Sequence, residues 1–141
     1  MQIHQKKYVG VWMDHAIANV MVYVADHITT TRIVNEFTHQ QKEESLSKSE
    51  KLMHHKEQQD QAAFYEAITT QIQDFSEILL FGPTNAKSEL ANLLKANHRF
   101  DDTMIIIETT DKLNEHQQVA SVTKHFSNPK QLHQKSDGNN A

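Results

Sequence analysis

The sequence predicts an α/β protein with a mixed, five-stranded sheet and helices on both of its faces. Two apolar segments near the N-terminus are typical of an antiparallel hairpin. Two later runs of four apolar residues, 78–81 and 104–107, do not alternate with polar residues, which is typical of parallel strands covered on both faces. Each run precedes a segment with helical periodicity, so right-handed strand-helix crossovers and the strand order 3-2-1-4-5 are predicted.

The first half of the predicted sheet is a three-stranded meander. Residues 8–13 and 16–25 are rich in Val, Tyr and Met and are separated by Asp14-His15, which predicts a tight turn. A third strand is predicted over 28–37, after a second turn at Asp26-His27. Trp12, like Met21, Tyr23 and Phe37, is interpreted as a core residue rather than as a stacking platform for a ligand.

A polar connector is predicted over residues 38–61, because it contains mainly Lys, Glu, Gln, Ser and His. A helix is expected to begin at Ala62 or slightly earlier. Its core-facing side chains fall on one stripe, and these are Phe64, Ile68, Ile72 and Phe75.

The second half of the predicted sheet contains two strand-helix units. Gly82-Pro83 ends the strand over 77–81, since proline has no amide to donate, and Thr84 is expected to cap the next helix. That helix has one apolar face, comprising Ala86, Leu90, Leu93 and Leu94. Asn114 and Gln117 have the spacing of a capping box for a last helix, in which Val119, Val122 and Phe126 are apolar. A single domain over 1–126 and a polar tail over 127–141 are expected.

Composition excludes several classes of function. The chain has 141 residues, no cysteine and a formal charge of −4. It therefore has no disulfide framework or thiolate zinc site, and it lacks the broad positive field of sequence-independent nucleic-acid binders, so no DNA partner is indicated. The first seven residues lack the apolar core of a signal peptide, and no segment is long and apolar enough to suggest a membrane partner. These features predict a cytoplasmic protein, and no cofactor is indicated.

Two stretches carry a family resemblance. A helix that contains Phe64-Tyr65-Glu66, followed by an apolar strand, Gly82-Pro83 and a Lys-bearing helix, resembles the middle domain of archaeal and eukaryotic peptide-chain release factors and of pelota. Residues 9–16 resemble the opening hairpin of the single-domain bacterial relatives of those factors, a translational-machinery group. The resemblance covers about a third of the chain and implies an RNase-H-like fold; an L30e-like sandwich is the alternative.

The resemblance does not extend to catalysis. Release factors of that family hydrolyse peptidyl-tRNA with a Gly-Gly-Gln loop, which in this chain would lie within residues 38–61. The three glycines are Gly10, Gly82 and Gly138, and none lies in that segment or next to another. Hydrolysis by that mechanism is excluded by the glycine content, and a non-enzymatic protein that docks on the ribosome, on RNA or on another translation component is expected.

Candidate contact residues lie at the Gly-Pro loop and in the connector. A lysine in the first turn of a helix is unfavourable beside the positive end of the helix dipole, so a bound RNA phosphate would stabilise Lys87 there. The alternative is that Lys87 is simply solvated. The predicted anion-binding or RNA-binding set is Thr84, Asn85 and Lys87, with the connector lysines Lys48, Lys51 and Lys56.

Two other functions stay open. Asp14, Glu108 and Asp111 are acidic residues at predicted strand ends and turns, which is where metal-dependent nucleases and phosphotransfer enzymes on such a scaffold hold divalent ions. Structural roles for them are the simpler reading, because Asp is common in turns without metals. A protein-interaction module is the third possibility, although no particular residue indicates it.

Overall fold

The computed structural model describes residues 6–36 and 50–127. The first three strands are β1 (Tyr8–Met13), β2 (Ile17–Val24) and β3 (His27–Val34), and helix α1 (Glu50–Gln71) follows. The chain continues with β4 (Glu77–Gly82), α2 (Ala86–Lys95), a short 3₁₀ helix (His98–Phe100), β5 (Met104–Thr109) and α3 (Glu115–Ser127). None of the helices in these two ranges is long and apolar enough to cross a membrane.

The five described strands form one sheet in the order β3-β2-β1-β4-β5, which confirms the predicted order. The pairs β1-β2 and β2-β3 are antiparallel, whereas β1-β4 and β4-β5 are parallel. The carboxyl ends of β1, β4 and β5 therefore meet at one edge of the sheet, where ligands of open α/β sheets usually bind.

Helices cover both faces, as predicted. Phe64 and Ile68 of α1 and Leu90 of α2 pack on the face that contains Val11 and Leu80. The helix α3 covers the other face, and its Val122 and Phe126 pack on a cluster that contains Trp12, Met21, Tyr23, Leu79 and Phe81. The core interpretation of Trp12, Met21 and Tyr23 is confirmed, while Phe37 lies outside the described residues.

Polar side chains also fix α3 on the sheet. The Asn19 amide donates to the Gln118 Oε1 at 2.7 Å, and both residues are buried. Near the other end of the helix, His125 Nε2 and Glu77 Oε2 are 3.0 Å apart in a second buried pair. Buried polar groups are costly without partners, so these two pairs restrict how α3 can lie on the sheet.

The helix α1 is longer than the sequence predicts. It begins at Glu50, so the predicted connector over 38–61 is wrong for residues 50–61, and residues 38–49 lie outside the described ranges. Few apolar residues precede Ala62, so hydrophobic periodicity gave no signal. The helix is formed instead by residues of high intrinsic propensity, such as Glu, Lys and Gln, and by an ion pair between Lys56 and Asp60 one turn apart.

Smaller differences lie at the turns and the termini. The β2-β3 turn is Ala25-Asp26 rather than Asp26-His27, and both residues have positive φ. The last helix extends to Ser127, and residues 128–141 of the predicted tail lie outside the described residues.

Candidate functional site

The Gly82-Pro83 loop joins the carboxyl end of β4 to α2 at the edge where the parallel strands end. Gly82 has φ of +154°, and an added Cβ would collide with the backbone carbonyl of Met13, so only glycine suits this close approach. Thr84 Oγ1 accepts a hydrogen bond from the Ala86 amide at 3.2 Å, as predicted, although the residue that immediately precedes the helix is Asn85. The Asn85 side chain is exposed and makes no capping bond.

Lys87 does not extend into solvent. The residue is 3% exposed, and its ammonium donates a hydrogen bond to the Thr84 carbonyl at 2.5 Å. The reading of Lys87 as a solvated side chain is therefore wrong, because its ammonium bonds to the backbone of the loop. Its contact with an RNA phosphate stays a prediction. The exposed polar group that remains at the loop is the Asn85 side chain.

The connector lysines do not form a basic surface in the described part of the chain. Lys56 is paired with Asp60, with 3.2 Å between Nζ and Oδ2. Lys48 lies outside the described residues, as does the side chain of Lys51. Lys56 is thus the one predicted connector contact whose surroundings are visible, and its charge is partly balanced by its own helix.

The three carboxylates of the alternative metal site do not form a cluster. Asp14 Oδ1 accepts the amides of Ala16 and Ile17 at 2.7 and 2.9 Å, which stabilises the β1-β2 turn. Within residues 6–36 and 50–127, no three His, Cys, Asp or Glu side chains are arranged so that they could hold a metal ion. The structure therefore does not bring Asp14, Glu108 and Asp111 together.

A cleft of about 470 Å³ lies between α1, α2 and the β1-β2 turn. We call it the edge cleft, because His15 follows the carboxyl end of β1 and Glu89 lies in the first turn of α2. The residues that line the cleft are His15, Glu57, Gln58, Gln61, Ala62, Tyr65, Glu89 and Leu93. Its volume is within the range of small-ligand pockets and suits a few side chains of a partner.

Three side chains of the edge cleft form one hydrogen-bonded group, and the His15 imidazole lies next to it. The Tyr65 hydroxyl donates to Glu89 Oε1 at 2.5 Å, and the Gln61 amide lies 2.7 Å from the hydroxyl and 3.3 Å from the same carboxylate oxygen. His15 Nε2 is 3.4 Å from Glu89 Oε1. Burial, followed by the hydrogen bond to Glu89, raises the pKa of Tyr65 well above its usual range, so the phenol stays protonated and acts as a donor.

The backbone of the β1-β2 turn holds His15 at the cleft. Asn35 is buried, and its side-chain amide donates to the His15 carbonyl at 3.0 Å, while its backbone amide donates to the Ala16 carbonyl at 2.8 Å. Together with the Asx turn of Asp14, these bonds restrict the backbone that carries the imidazole.

The edge cleft was not identified from the sequence, because its residues come from three separate segments. Leu93 was predicted to face the core, but it is 52% exposed and lines the cleft. The buried stripe of α2 is instead Ala86, Lys87, Leu90, Ala91 and Leu94. The sequence spacing does indicate this stripe, because residues 87, 90, 91 and 94 lie on one face of a helix.

Comparisons with known proteins identify the fold. No family model matches the chain, and no curated protein matches it in sequence. The structure is similar to that of Pelota from Archaeoglobus fulgidus, with a TM-score of 0.55 and 11% identity over 86% of this chain and 32% of that protein. It is also similar to Pelota from Thermoplasma acidophilum, with a TM-score of 0.57 and 13% identity over 88% of this chain and 33% of that protein.

This chain thus spans about a third of the length of each Pelota protein. At these identities the likeness concerns the fold alone. Together with the strand order and the helices on both faces, it shows that the chain has the fold of a pelota-like, release-factor-like domain.

Proposed function

We propose that this protein is a non-catalytic, translation-associated protein that docks on the ribosome or on another translation component in the cytoplasm. The observation that carries the proposal is the likeness to two archaeal Pelota structures over 86% and 88% of this chain. The resemblance of the Gly-Pro loop and of the opening hairpin to release factors and their relatives supports the same context.

The absence of catalysis is part of the proposal. Hydrolysis of peptidyl-tRNA by a Gly-Gly-Gln loop needs two neighbouring glycines, and Gly10, Gly82 and Gly138 are far apart in the sequence. Gly82 has a structural role at the β4-α2 junction, where a Cβ would collide with Met13. A metal-dependent nuclease is not favoured, since the described residues contain no group suited to a metal ion.

We place the docking surface at the edge of the sheet where the parallel strands end. This edge contains the edge cleft and the exposed Asn85 side chain, and it is where open α/β sheets usually bind their ligands. Because Lys87 is buried, the loop offers no free ammonium to an RNA phosphate, and contact by amide and carboxylate groups is favoured.

Co-sedimentation of the tagged protein with ribosomes from its own cells tests the proposal at low and at high salt. We expect the protein to migrate with a ribosomal fraction at low salt and to leave it at high salt, because contacts of the exposed carboxylates at this edge are screened by ions. Asn85→Ala should reduce the bound fraction several-fold. Asn92→Ala, which changes an equally exposed asparagine of the same helix, should leave it unchanged.

A protein that stays at the top of the gradient at low salt, away from every ribosomal fraction, would contradict the proposed function. Equal binding by the wild type and Asn85→Ala would instead move the contact away from the Gly-Pro loop.

A further inference from the structure

The edge cleft carries negative charge that its own lining leaves unbalanced. Glu57 on α1 and Glu89 on α2 both line it, and their side chains are 52% and 50% exposed. Among the residues that the structure describes, no Lys or Arg lines the cleft, and the nearby Lys56 is paired with Asp60. The imidazoles near these carboxylates are His15, 3.4 Å from Glu89, and His54, 3.8 Å from Glu57. A ligand that brings positive charge would complement this lining.

Three neighbouring side chains orient the Glu89 carboxylate through one of its two oxygens. Its Oε1 is approached by the Tyr65 hydroxyl, the Gln61 amide and the His15 imidazole. Its Oε2 accepts none of these bonds within the described part of the chain. A carboxylate that is already oriented loses little side-chain entropy when it binds a donor, which favours ligand binding.

An apolar surface lies next to the two carboxylates. Leu93 is 52% exposed and Ala62 is also exposed, and both line the same cleft as Glu57 and Glu89. A cationic side chain with a long aliphatic stem, or with an apolar neighbour, can cover such a surface while its charge reaches the carboxylates. A phosphate group has neither property, and the carboxylates and the net charge of −4 would repel it.

We infer that the edge cleft binds a cationic side chain of a basic polypeptide segment, with Arg preferred over Lys and with an apolar neighbour of that residue packed on Leu93. Arg is preferred because its planar guanidinium can donate two hydrogen bonds to one carboxylate and reach a second carboxylate nearby. The inference rests on the proposed function, since it names the chemistry of the docking partner: a protein of the translation machinery that presents Arg, rather than the RNA backbone.

A titration of the full-length, isotope-labelled protein with the blocked peptide acetyl-Arg-Leu-Arg-amide, followed by nuclear magnetic resonance, tests the inference. We expect the amide signals of His15, Gln61, Glu89 and Leu93 to shift together and saturably, and the affinity to fall when salt is added. Glu57→Gln and Glu89→Gln should each weaken binding about five-fold or more, which corresponds to about 1 kcal/mol per charged hydrogen-bond partner. Glu66→Gln removes an exposed carboxylate of α1 that does not line the cleft, and it should leave the affinity unchanged.

Comparison ligands test whether the cleft prefers an Arg-containing peptide to other ligands. Acetyl-Lys-Leu-Lys-amide should bind more weakly, and Leu93→Ser should reduce the affinity for both peptides. If argininamide alone binds as tightly as the tripeptide, the cleft is a site for a small free cation and the inference is overturned. Equal binding of acetyl-Glu-Leu-Glu-amide, preferential binding of a short RNA, or full affinity in the double variant of Glu57 and Glu89 would also overturn it.

Ribosome co-sedimentation of the same variants separates this inference from the proposed function. Loss of comigration in Glu89→Gln, with Glu66→Gln unaffected, supports both. Comigration that survives Glu57→Gln and Glu89→Gln would leave the proposed function standing and would overturn the inference. Peptide binding by a protein that never migrates with ribosomes would support the cationic site and contradict the proposed function. Glu89→Gln keeps an oxygen that accepts from Tyr65, so its thermal unfolding should resemble that of the wild type.

Discussion

At the scale of single residues, Lys87 shows how a charge can serve the fold rather than a ligand. Its stem lies on the buried stripe of α2 with Leu90 and Leu94, and its ammonium reaches back to the Thr84 carbonyl at 2.5 Å. The bond fastens the Gly-Pro loop to the first turn of the helix. A buried ammonium without such a partner would be costly, so this bond explains how lysine is tolerated in the first turn.

We predict that Lys87→Ala destabilises the protein by about 1.5 to 3 kcal/mol, because it removes a hydrogen bond from a charged donor and the packing of a buried stem. Urea unfolding of Lys87→Ala and of Lys95→Ala measures this, since Lys95 is an exposed lysine of the same helix. Lys95→Ala should change the free energy of unfolding by no more than about 0.5 kcal/mol. Equal stability of the two variants would mean that the bond to Thr84 contributes nothing measurable.

At the scale of elements, the contact of α3 with β1 depends on a missing side chain. Gly10 lies mid-strand, and an added Cβ would come within 2.5 Å of Val122 Cγ2. The helix can therefore approach the strand closely at this point. The partner is the side chain of Val122 and not backbone, so a smaller residue at position 122 would make room for the Cβ.

We predict that Gly10→Ala destabilises the protein by about 1 to 3 kcal/mol through overpacking. Combined with Val122→Ala, it should be less destabilising than the sum of the two single changes, with a coupling of about 1 kcal/mol or more. Urea unfolding of the wild type, both single variants and the double variant measures the coupling. Strictly additive effects would show that the helix shifts away from the strand without cost.

The elements also show which parts of the fold could be predicted from the sequence. Strand order was predictable, because the turns within residues 8–37 indicate an antiparallel meander and the apolar runs 78–81 and 104–107 indicate parallel strands. The expected burial on both faces is wrong for 104–107, since β5 is an edge strand and its Ile107 is 38% exposed. The start of α1 was not predictable from hydrophobic periodicity. The first three turns of that helix gain their stability from intrinsic helix propensity and charge pairs rather than from an apolar stripe. The sequence signal for that part is its richness in Glu, Lys and Gln together with the spacing of Lys56 and Asp60.

At the scale of the whole molecule, the candidate site was the hardest part to predict. The Gly82-Pro83 loop indicates the edge of the sheet at which the candidate cleft lies, because a glycine and a proline after a buried strand mark its carboxyl end. Predicting the edge cleft would have required knowing how α1, α2 and the turn at His15 pack together. These three segments are separated in sequence by tens of residues. No local pattern reports that Tyr65 lies 2.5 Å from Glu89.

The pKa values of all three tyrosines are raised, although these residues lie on opposite faces of the sheet. Tyr8 stacks on Phe126 at 5.0 Å between ring centroids, and burial raises its pKa. The hydrogen bond to Asp26 raises the pKa of Tyr23. Burial and the bond to Glu89 raise the pKa of Tyr65. The folded protein therefore holds all three phenolic protons more tightly than the unfolded chain does.

The sign of the resulting pH dependence follows from proton binding. In the unfolded chain the tyrosines ionise near the reference value of 10.0, while in the folded protein they stay protonated to higher pH. The stabilisation is thus fully present below pH 10 and is lost as pH rises above it, since the unfolded state then binds fewer protons. For Tyr65, the slope of the free energy of unfolding reaches at most about 1.4 kcal/mol per pH unit.

We therefore predict that tyrosinate absorbance rises at higher pH in the folded protein than in the urea-unfolded protein, and that stability falls above pH 10. The measurement is an absorbance titration of both states, with urea unfolding repeated at several alkaline pH values. Tyr65→Phe should make the alkaline loss of stability shallower, because it removes one of the displaced titrations. Tyr8→Phe is the comparison variant, since it removes a tyrosine on the opposite face and leaves the bond to Glu89 intact. The pKa of Tyr8 is also raised, so this variant should flatten the loss as well, but less than Tyr65→Phe does. If folded and unfolded protein titrate together, the Tyr65 proton is not held by Glu89, and the oriented carboxylate on which the edge cleft depends would have to be abandoned.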